Sequence, residues 1–174
     1  FDHNNISPLD SRYANKIPEF RKNFSEYSLI KIRFDIEIDW LIFLCTKLPK
    51  LFKPISKQSI KKLELFKNDF NDKYVLKIKK IEATTNHDVK AVEYFIRDHF
   101  NKDKILSGYT HLIHFGLTSE DINSLSYAYL VKNGIKLFAN EVSIINKTLK
   151  SYSSKWSKIS FLARTHGQPA SPST

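Results

Sequence analysis

The order of apolar and polar residues along the chain predicts a mainly helical protein. Apolar positions recur at intervals of three and four, the spacing of one helix face, in three segments, residues 59–70, 72–83 and 88–100. A much longer helix is predicted from Glu120 to about Trp156, weakened only at Gly134. A helix of that length would protrude from a 174-residue chain, so we expect it to pack in a bundle with other helices of the protein or of other subunits.

One segment, from Glu26 to Leu48, fits two patterns. Between Ile30 and Trp40 apolar residues alternate with charged ones, which is typical of a half-buried strand. The segment also has helical spacing and two pairs of opposite charge four positions apart, Lys31 with Asp35 and Arg33 with Glu37. The alternation favours a strand, whereas a run of more than twenty residues without Gly or Pro is longer than ordinary strands.

Composition limits the kinds of site and compartment. The four glycines lie too far apart for a Gly-rich phosphate loop, and the longest apolar run, Trp40 to Cys45, is far shorter than the about 20 residues of a membrane span. Cys45 is the single cysteine, so no internal disulfide can form. We therefore expect a soluble, cytoplasmic protein. Because the sequence has no Met and ends in turn-forming residues, we also expect it to be a piece of a longer protein.

Positive charge is concentrated in one stretch. The chain has 28 Lys and Arg against 18 Asp and Glu, a net charge of +10, and eleven lysines lie between Lys47 and Lys80. Phe52, Phe66, Phe70 and Tyr74 lie among them, so an RNA-binding face is one hypothesis. The stretch lacks Arg, the best residue for bidentate phosphate contacts, and it also fits an amphipathic helix with a solvated lysine face, the interpretation that we prefer.

Three short segments combine titratable or hydroxyl side chains with a helix start or a turn. In the first, Asn86, His87 and Asp88 precede a predicted helix. Asn86 or Asp88 could simply cap that helix and leave His87 exposed. Alternatively, an imidazole beside the free N–H groups of the helix start would bind a phosphate or a carboxylate.

The second segment opens the long helix. An N-cap followed by acidic residues in the first turn is one explanation of Thr118-Ser119-Glu120-Asp121. The adjacent hydroxyls of Thr118 and Ser119 could instead hold a substrate carboxylate. Glu120 and Asp121 would weaken such a site unless they point away.

The third segment, Arg164 to Pro172, places His166 beside Gly167 in a turn after the long helix. An imidazole can exchange protons near neutral pH, although a lone histidine in a loop is commonly just exposed. His111 and His114 have a spacing that could chelate a metal. No Cys, Asp or Glu lies at ligand spacing around them, so we expect no metal site.

Four segments that follow one another along the chain point to a family. They are SPLDSRY at 7–13, TNHDVKAVEY at 85–94, HFGLTSEDIN at 114–123 and RTHGQPA at 164–170. In this order they resemble the adenylosuccinate lyase family of the bacterial type, within the fumarase/aspartase superfamily. The resemblance implies an all-α fold, with a small N-terminal helical domain over residues 1–112 and the incomplete beginning of a long-helix bundle domain over 113–174. It also implies that Glu26 to Leu48 is helical.

The resemblance also implies an activity and its residues. The reaction is a β-elimination that releases fumarate from adenylosuccinate, giving AMP, and from the succinyl-aminoimidazole-carboxamide ribotide of purine biosynthesis. His166 is by this similarity the general acid that protonates the leaving nitrogen. The implied binding residues are Arg12 and Tyr13 for the nucleotide phosphate, Asn86, His87 and Asp88 for the substrate and its phosphate, Thr118 and Ser119 for the succinyl carboxylate, and Thr165. No cofactor or metal is implied.

Two differences from the family bear on these expectations. Ser11 stands where the family usually has Gly, which could alter the turn that presents Arg12. The family's flexible loop, whose Ser is the proposed base, would lie beyond Thr174, and each family site is assembled from three subunits of a homotetramer. We therefore expect the 174-residue chain alone to have no lyase activity.

Overall fold

The computed structural model describes residues 6–174, most of which lie in α-helices. In this part of the chain the helices are α1 (Pro18–Phe24), α2 (Glu26–Lys47), α3 (Lys57–Asn68), α4 (Asp72–Thr85), α5 (Asp88–Asn101) and α6 (Ser119–Trp156), with short 3-10 helices at Pro8–Asp10, Ala14–Lys16 and Ser107–Leu112. The all-α class is confirmed. An antiparallel hairpin, which the sequence analysis did not predict, follows α6 and consists of β1 (Phe161–Thr165) and β2 (Gln168–Ser173).

The segment that fitted two patterns is a helix, α2, as the resemblance implied. Ser25 caps it by accepting the N–H of Ser28 at 3.2 Å. Helix α2 packs against α1, α3, α4 and α5, so its apolar residues are buried on more than one side. It therefore lacks the single apolar stripe of a surface helix. Its apolar and charged residues instead alternate between Ile30 and Trp40, as they would in a half-buried strand.

Two charged residues of α2 lie inside this packing. Arg33 and Glu37 are 4% and 1% exposed. The predicted ion pair between them is wrong, because Arg33 binds Asp88 and Glu37 binds His114. These partners belong to the elements that cover this side of α2. The second predicted pair, Lys31 with Asp35, is present on a half-buried side of the helix.

The core among α2, α3, α4 and α5 is rich in phenylalanine. Phe34 of α2 packs edge-on against Phe66 of α3, with 4.8 Å between ring centroids. Phe95 of α5 lies 6.2 Å from the Phe34 ring. Such ring pairs add to the free energy gained by burying the apolar surface, and they fix α5 against α2.

The same core explains the aromatic residues of the lysine-rich stretch. Phe66 and Phe70 are 4% and 8% exposed, and Phe52 and Tyr74 pack against the core that contains them. These four rings therefore serve packing rather than base stacking. Several of the lysines are paired with carboxylates, among them Lys62 with Asp103. The RNA-binding hypothesis gains no support.

Helix α1 packs on α6 through its last two residues. The Asn23 side-chain amide donates to the Leu130 carbonyl oxygen at 2.9 Å. The Phe24 ring lies against Gly134 so closely that a Cβ at position 134 would be 2.4 Å from Phe24 Cζ. Gly134 therefore provides the space for this ring, besides lowering the helix propensity of α6.

Backbone contacts divide the chain into two compact units, one that ends at Gly134 and one from Ile135 to Thr174. The second unit holds the remainder of α6 and the hairpin. His166 and Gly167 form its two-residue turn with φ angles of 52° and 78°, as a type I′ turn requires. The predicted domain boundary between residues 112 and 113 stays a prediction, and residues 1–5 of that first domain lie outside the described residues.

A search of the helices within residues 6–174 for a span long and apolar enough to cross a bilayer finds none.

Candidate functional site

The link between α4 and α5 consists of two residues. Asn86 ends α4 with a left-handed φ of 52°, a conformation that Asn tolerates better than most residues. His87 follows in an extended conformation and caps α5, since its Nδ1 accepts the Lys90 N–H at 3.3 Å. The cap is therefore His87, not Asn86 or Asp88 as the sequence analysis considered.

Asp88 follows the cap as the first residue of α5, and two groups of the protein bind its side chain. Its Oδ1 accepts the N–H of Val89 at 2.8 Å, and its Oδ2 lies 2.7 Å from Arg33 Nη2. Partial burial alone would raise the pKa of Asp88, but the Val89 N–H and the Arg33 charge together hold that pKa below its ordinary value. Asp88 is therefore a carboxylate at neutral pH, and it is already paired within the protein.

Helix α6 begins with a capping box. The Thr118 hydroxyl oxygen accepts the Asp121 N–H at 3.3 Å, and Asp121 Oδ2 accepts the Thr118 N–H at 2.7 Å. The Thr118 hydroxyl also donates to Asp121 Oδ2 at 2.8 Å, and these bonds lower the pKa of Asp121. Asp121 therefore folds back on Thr118, and Glu120 accepts the Ser124 hydroxyl at 3.2 Å.

The structure brings together two of the predicted binding segments. His87 Nε2 lies 3.4 Å from Ser119 Oγ. Because His87 Nδ1 accepts a backbone N–H, the neutral ring carries its hydrogen on Nε2 and donates toward Ser119. An imidazole and a hydroxyl thus lie side by side where α5 and α6 begin, an arrangement suited to an anionic group.

Arg33 connects the same two helix starts. Its Nη2 lies 2.7 Å from Asp88 Oδ2 and donates to Asn123 Oδ1 of α6 at 2.8 Å. Neither Arg33 nor Asn123 was predicted from the sequence to belong to a site. Arg33 could have been recognised from the sequence, because it is a charged residue whose neighbours in the helix are mainly apolar. Such a pattern indicates a buried ion pair.

A second buried pair fixes the chain just before α6. His114 has a positive φ of 62°, and its Nδ1 lies 2.6 Å from Glu37 Oε1. The hydrogen bond with Glu37 raises the pKa of His114 above its ordinary value. His114, considered above as a metal ligand, is therefore part of an ion pair. Within residues 6–174 no group of three or more His, Cys, Asp or Glu could hold a metal ion.

Arg12 and Tyr13 lie between two 3-10 helices and contact each other. The Arg12 guanidinium carbon is 5.6 Å from the centre of the Tyr13 ring, and both side chains are exposed. Ser11, which replaces the usual Gly, has a negative φ of −123°, so its turn does not require the left-handed conformation that favours Gly. Ser11 therefore fits this turn, and the Arg12 side chain remains exposed to a ligand.

Thr165 and His166 belong to the second compact unit. Thr165 ends β1 and pairs with Gln168, and His166 occupies the first turn position. Both are exposed. The two-residue I′ turn fixes the backbone conformation of His166, so its imidazole lies at the exposed tip of the hairpin, where a ligand could bind it.

Comparison with known proteins identifies the family. A family model described as Lyase matches residues 11–174. Similar curated proteins named adenylosuccinate lyase include those of Buchnera aphidicola subsp. Schizaphis graminum, 41% identical over 172 residues, Dictyostelium discoideum, 41% over 176 residues, and Escherichia coli K12, 38% over 175 residues. The matches cover 97% of this chain but 38%, 37% and 38% of the relatives, so the chain spans little more than a third of their length. The resemblance drawn from the four segments is thus confirmed, and the chain belongs to this lyase family.

Proposed function

We propose that the protein carrying this chain is an adenylosuccinate lyase of purine and AMP biosynthesis that acts in the cytoplasm. The observation that carries the proposal is the 38–41% identity to proteins of that name over 97% of the chain. The chain would form the N-terminal part of the enzyme. The contact between His87 and Ser119 supports the proposal, because the substrate carries anionic groups that such a site binds.

The reaction needs two proton transfers and a site for negative charge. A base removes a proton from the carbon next to a succinyl carboxylate, and the C–H electron pair becomes the new C=C bond of fumarate. The C–N bond breaks, and the nitrogen leaves with the bonding pair and takes up a proton. A base, an acid and donors to the developing aci-carboxylate are therefore required.

Residues of this chain would supply the acid and several binding groups. His166, presented by the hairpin turn, would protonate the leaving nitrogen, with Thr165 beside it at the substrate. Arg12, a fork-shaped donor, would bind the nucleotide phosphate together with Tyr13. Asn86 and His87 would position the substrate and contact its phosphate. The base would lie outside this chain.

The start of α6 would hold the succinyl carboxylate. The Thr118 hydroxyl already donates to Asp121, so Thr118 would act mainly by shaping the cap. Ser119 would provide the hydroxyl that reaches the substrate, next to the free N–H groups of the helix. Asp88, paired with Arg33, would contribute to the same site chiefly by holding His87 in place.

An exposed apolar face of α6 supports assembly into a homotetramer, with three subunits contributing to each site. Its residues recur at alternating steps of three and four: Ile135, Phe138, Val142, Ile145, Leu149, Tyr152 and Trp156. A seven-residue repeat of this kind is typical of the seam between packed helices. In this proposal the bundle domain begins near residue 113 and is completed by helices outside this chain.

A comparison of substrates tests the function. Purified full-length protein is incubated with adenylosuccinate, argininosuccinate or malate, and the products are separated by chromatography. We expect equal amounts of AMP and fumarate from adenylosuccinate and no fumarate from the other two. Fumarate from argininosuccinate or malate, without AMP from adenylosuccinate, would assign the protein to another activity.

A further inference from the structure

Asn123 lies on the same face of α6 as Ser119. The two residues are four positions apart, which places their side chains on neighbouring turns of one helix face. The Asn123 side chain is half-buried, and its Oδ1 accepts a hydrogen bond from Arg33 Nη2 at 2.8 Å. The same nitrogen lies 2.7 Å from Oδ2 of Asp88, the residue that follows His87. Asn123 therefore lies beside the place where the starts of α5 and α6 meet.

Arg33 fixes the direction in which the Asn123 amide points. A guanidinium carries donors and no acceptor, so the amide oxygen must face Arg33 and the NH₂ group must face away from it. Arg33 is only 4% exposed, and a reversed amide would leave this buried guanidinium without one of its acceptors, which is costly. The orientation of the amide is therefore set before any ligand binds.

The NH₂ group of Asn123 is able to donate to a ligand. Among residues 6–174, Asn123 Nδ2 has no hydrogen-bond partner, and it is not one of the buried polar atoms that lack a partner in this part of the chain. The group is therefore open to solvent. On the preceding turn, Ser119 Oγ lies 3.4 Å from His87 Nε2. An imidazole, a hydroxyl and an amide thus provide donors on neighbouring turns.

We propose that Asn123 is a further ligand-binding residue of the site, and that its Nδ2 donates to the same anionic group that His87 and Ser119 bind. The proposal rests on the proposed function, because the anionic group would belong to adenylosuccinate. A carboxylate or a phosphate accepts several hydrogen bonds, so one group can receive donors from all three side chains. In this arrangement Arg33 orients the amide.

Two substitutions in the full-length protein separate this role from a structural one. Asn123→Asp keeps an acceptor for Arg33 but replaces the NH₂ donor with an oxygen that repels an anionic group. Asn123→Ala removes both the acceptor and the donor and adds no charge. We expect the KM for adenylosuccinate to rise about twentyfold or more in Asn123→Asp and about fivefold in Asn123→Ala. The melting temperature should fall more in Asn123→Ala, because the buried guanidinium then loses a partner.

Ser124→Asp is the matched control for the added charge. Ser124 is the next residue of α6, is exposed, and donates to Glu120. A carboxylate at position 124 would therefore lie at nearly the same level of the helix as one at 123, but on another side. Because an exposed charge is screened by solvent, the KM of Ser124→Asp should change less than about twofold.

An unchanged KM in Asn123→Asp, or a rise no larger than that in Ser124→Asp, would overturn the proposal. A larger rise in Asn123→Ala than in Asn123→Asp would also overturn it, because the KM would then follow the loss of the Arg33 contact rather than the loss of the donor. Failure of the proposed function looks different. The wild type itself would then release no AMP from adenylosuccinate, and the role of Asn123 would be rejected with it.

Discussion

The side chains of His87 and Ser119 meet where α5 and α6 begin, so an imidazole and a hydroxyl can bind the same anionic group. His87 and Ser119 were recognised from their places at helix starts, and the structure adds that they lie 3.4 Å apart. The hydrogen bonds of Thr118 with Asp121 follow from a local pattern and were predictable as a capping box. The pairing of Arg33 with Asp88 was not predictable, because it depends on how helices that are distant in the sequence pack together.

Ser119 offers a direct test of the anion site. Ser119→Ala should raise the KM for adenylosuccinate about five- to tenfold, the value of about one neutral hydrogen bond. Ser124→Ala is the control, since Ser124 lies one turn further along α6 and its hydroxyl bonds Glu120. Equal KM values for the wild type and Ser119→Ala would exclude a direct contact between this hydroxyl and the substrate.

The pair of His114 and Glu37 predicts a pH dependence of stability. Because the folded protein has the higher His114 pKa, the stabilisation is fully present below the unfolded value of 6.5 and is lost as the pH rises through the folded pKa. We expect the free energy of unfolding to fall over that range. In Glu37→Gln the free energy of unfolding should be about 1.5–3 kcal/mol lower than in the wild type at pH 6. Its decrease with rising pH should be much smaller than that of the wild type.

His111→Gln serves as the control for this experiment, because His111 is exposed and lies only three residues away. Its stability profile should follow that of the wild type. Denaturant unfolding at closely spaced pH values measures all three proteins. A profile for Glu37→Gln that parallels the wild type would show that the pair does not cause the pH dependence.

At the scale of elements, long periodic helices were predictable and the remaining elements were not. The boundaries predicted for α4 and α5 agree with the structure within two residues. Helix α2 needed the family resemblance, because its burial on several sides hides the helical period. The hairpin was missed because its strands are short and contain Pro169 and Pro172, which weaken a strand pattern.

The contact between α1 and α6 predicts a coupling between Phe24 and Gly134. Gly134→Ala should gain up to about 1 kcal/mol from helix propensity, but the new Cβ would displace the Phe24 ring. In the wild type we therefore expect no gain in the free energy of unfolding, or a loss. In a Phe24→Ala background the same change should stabilise the protein by about 1 kcal/mol. Equal effects in both backgrounds would contradict the close approach.

For the whole molecule, we expect this chain to supply the acid and the anion-binding segments of the proposed site, and the base to lie outside it. Among residues 6–174, most of the apolar residues of α6 from Ile135 to Trp156 are exposed, which is typical of a surface that binds other helices. The predicted domain boundary and the proposed assembly do not follow from the sequence of this chain alone, because in the proposal both involve helices outside residues 1–174.

The purified 174-residue chain is therefore expected to release no measurable AMP from adenylosuccinate. The full-length protein, assayed at the same molar concentration, provides the positive control. Sustained turnover by the 174-residue chain would mean that it contains a base of its own.

The proposed role of His166 as the general acid is tested by the turnover of adenylosuccinate by full-length protein with and without this imidazole. We expect His166→Ala to lower kcat about 10²- to 10⁴-fold, the usual contribution of a general acid, while the oligomeric state measured by sedimentation is unchanged. His111→Ala, which removes an exposed histidine outside the proposed site, should retain wild-type kcat. Wild-type turnover in His166→Ala would exclude His166 as the acid, because the leaving nitrogen would then receive its proton from another group.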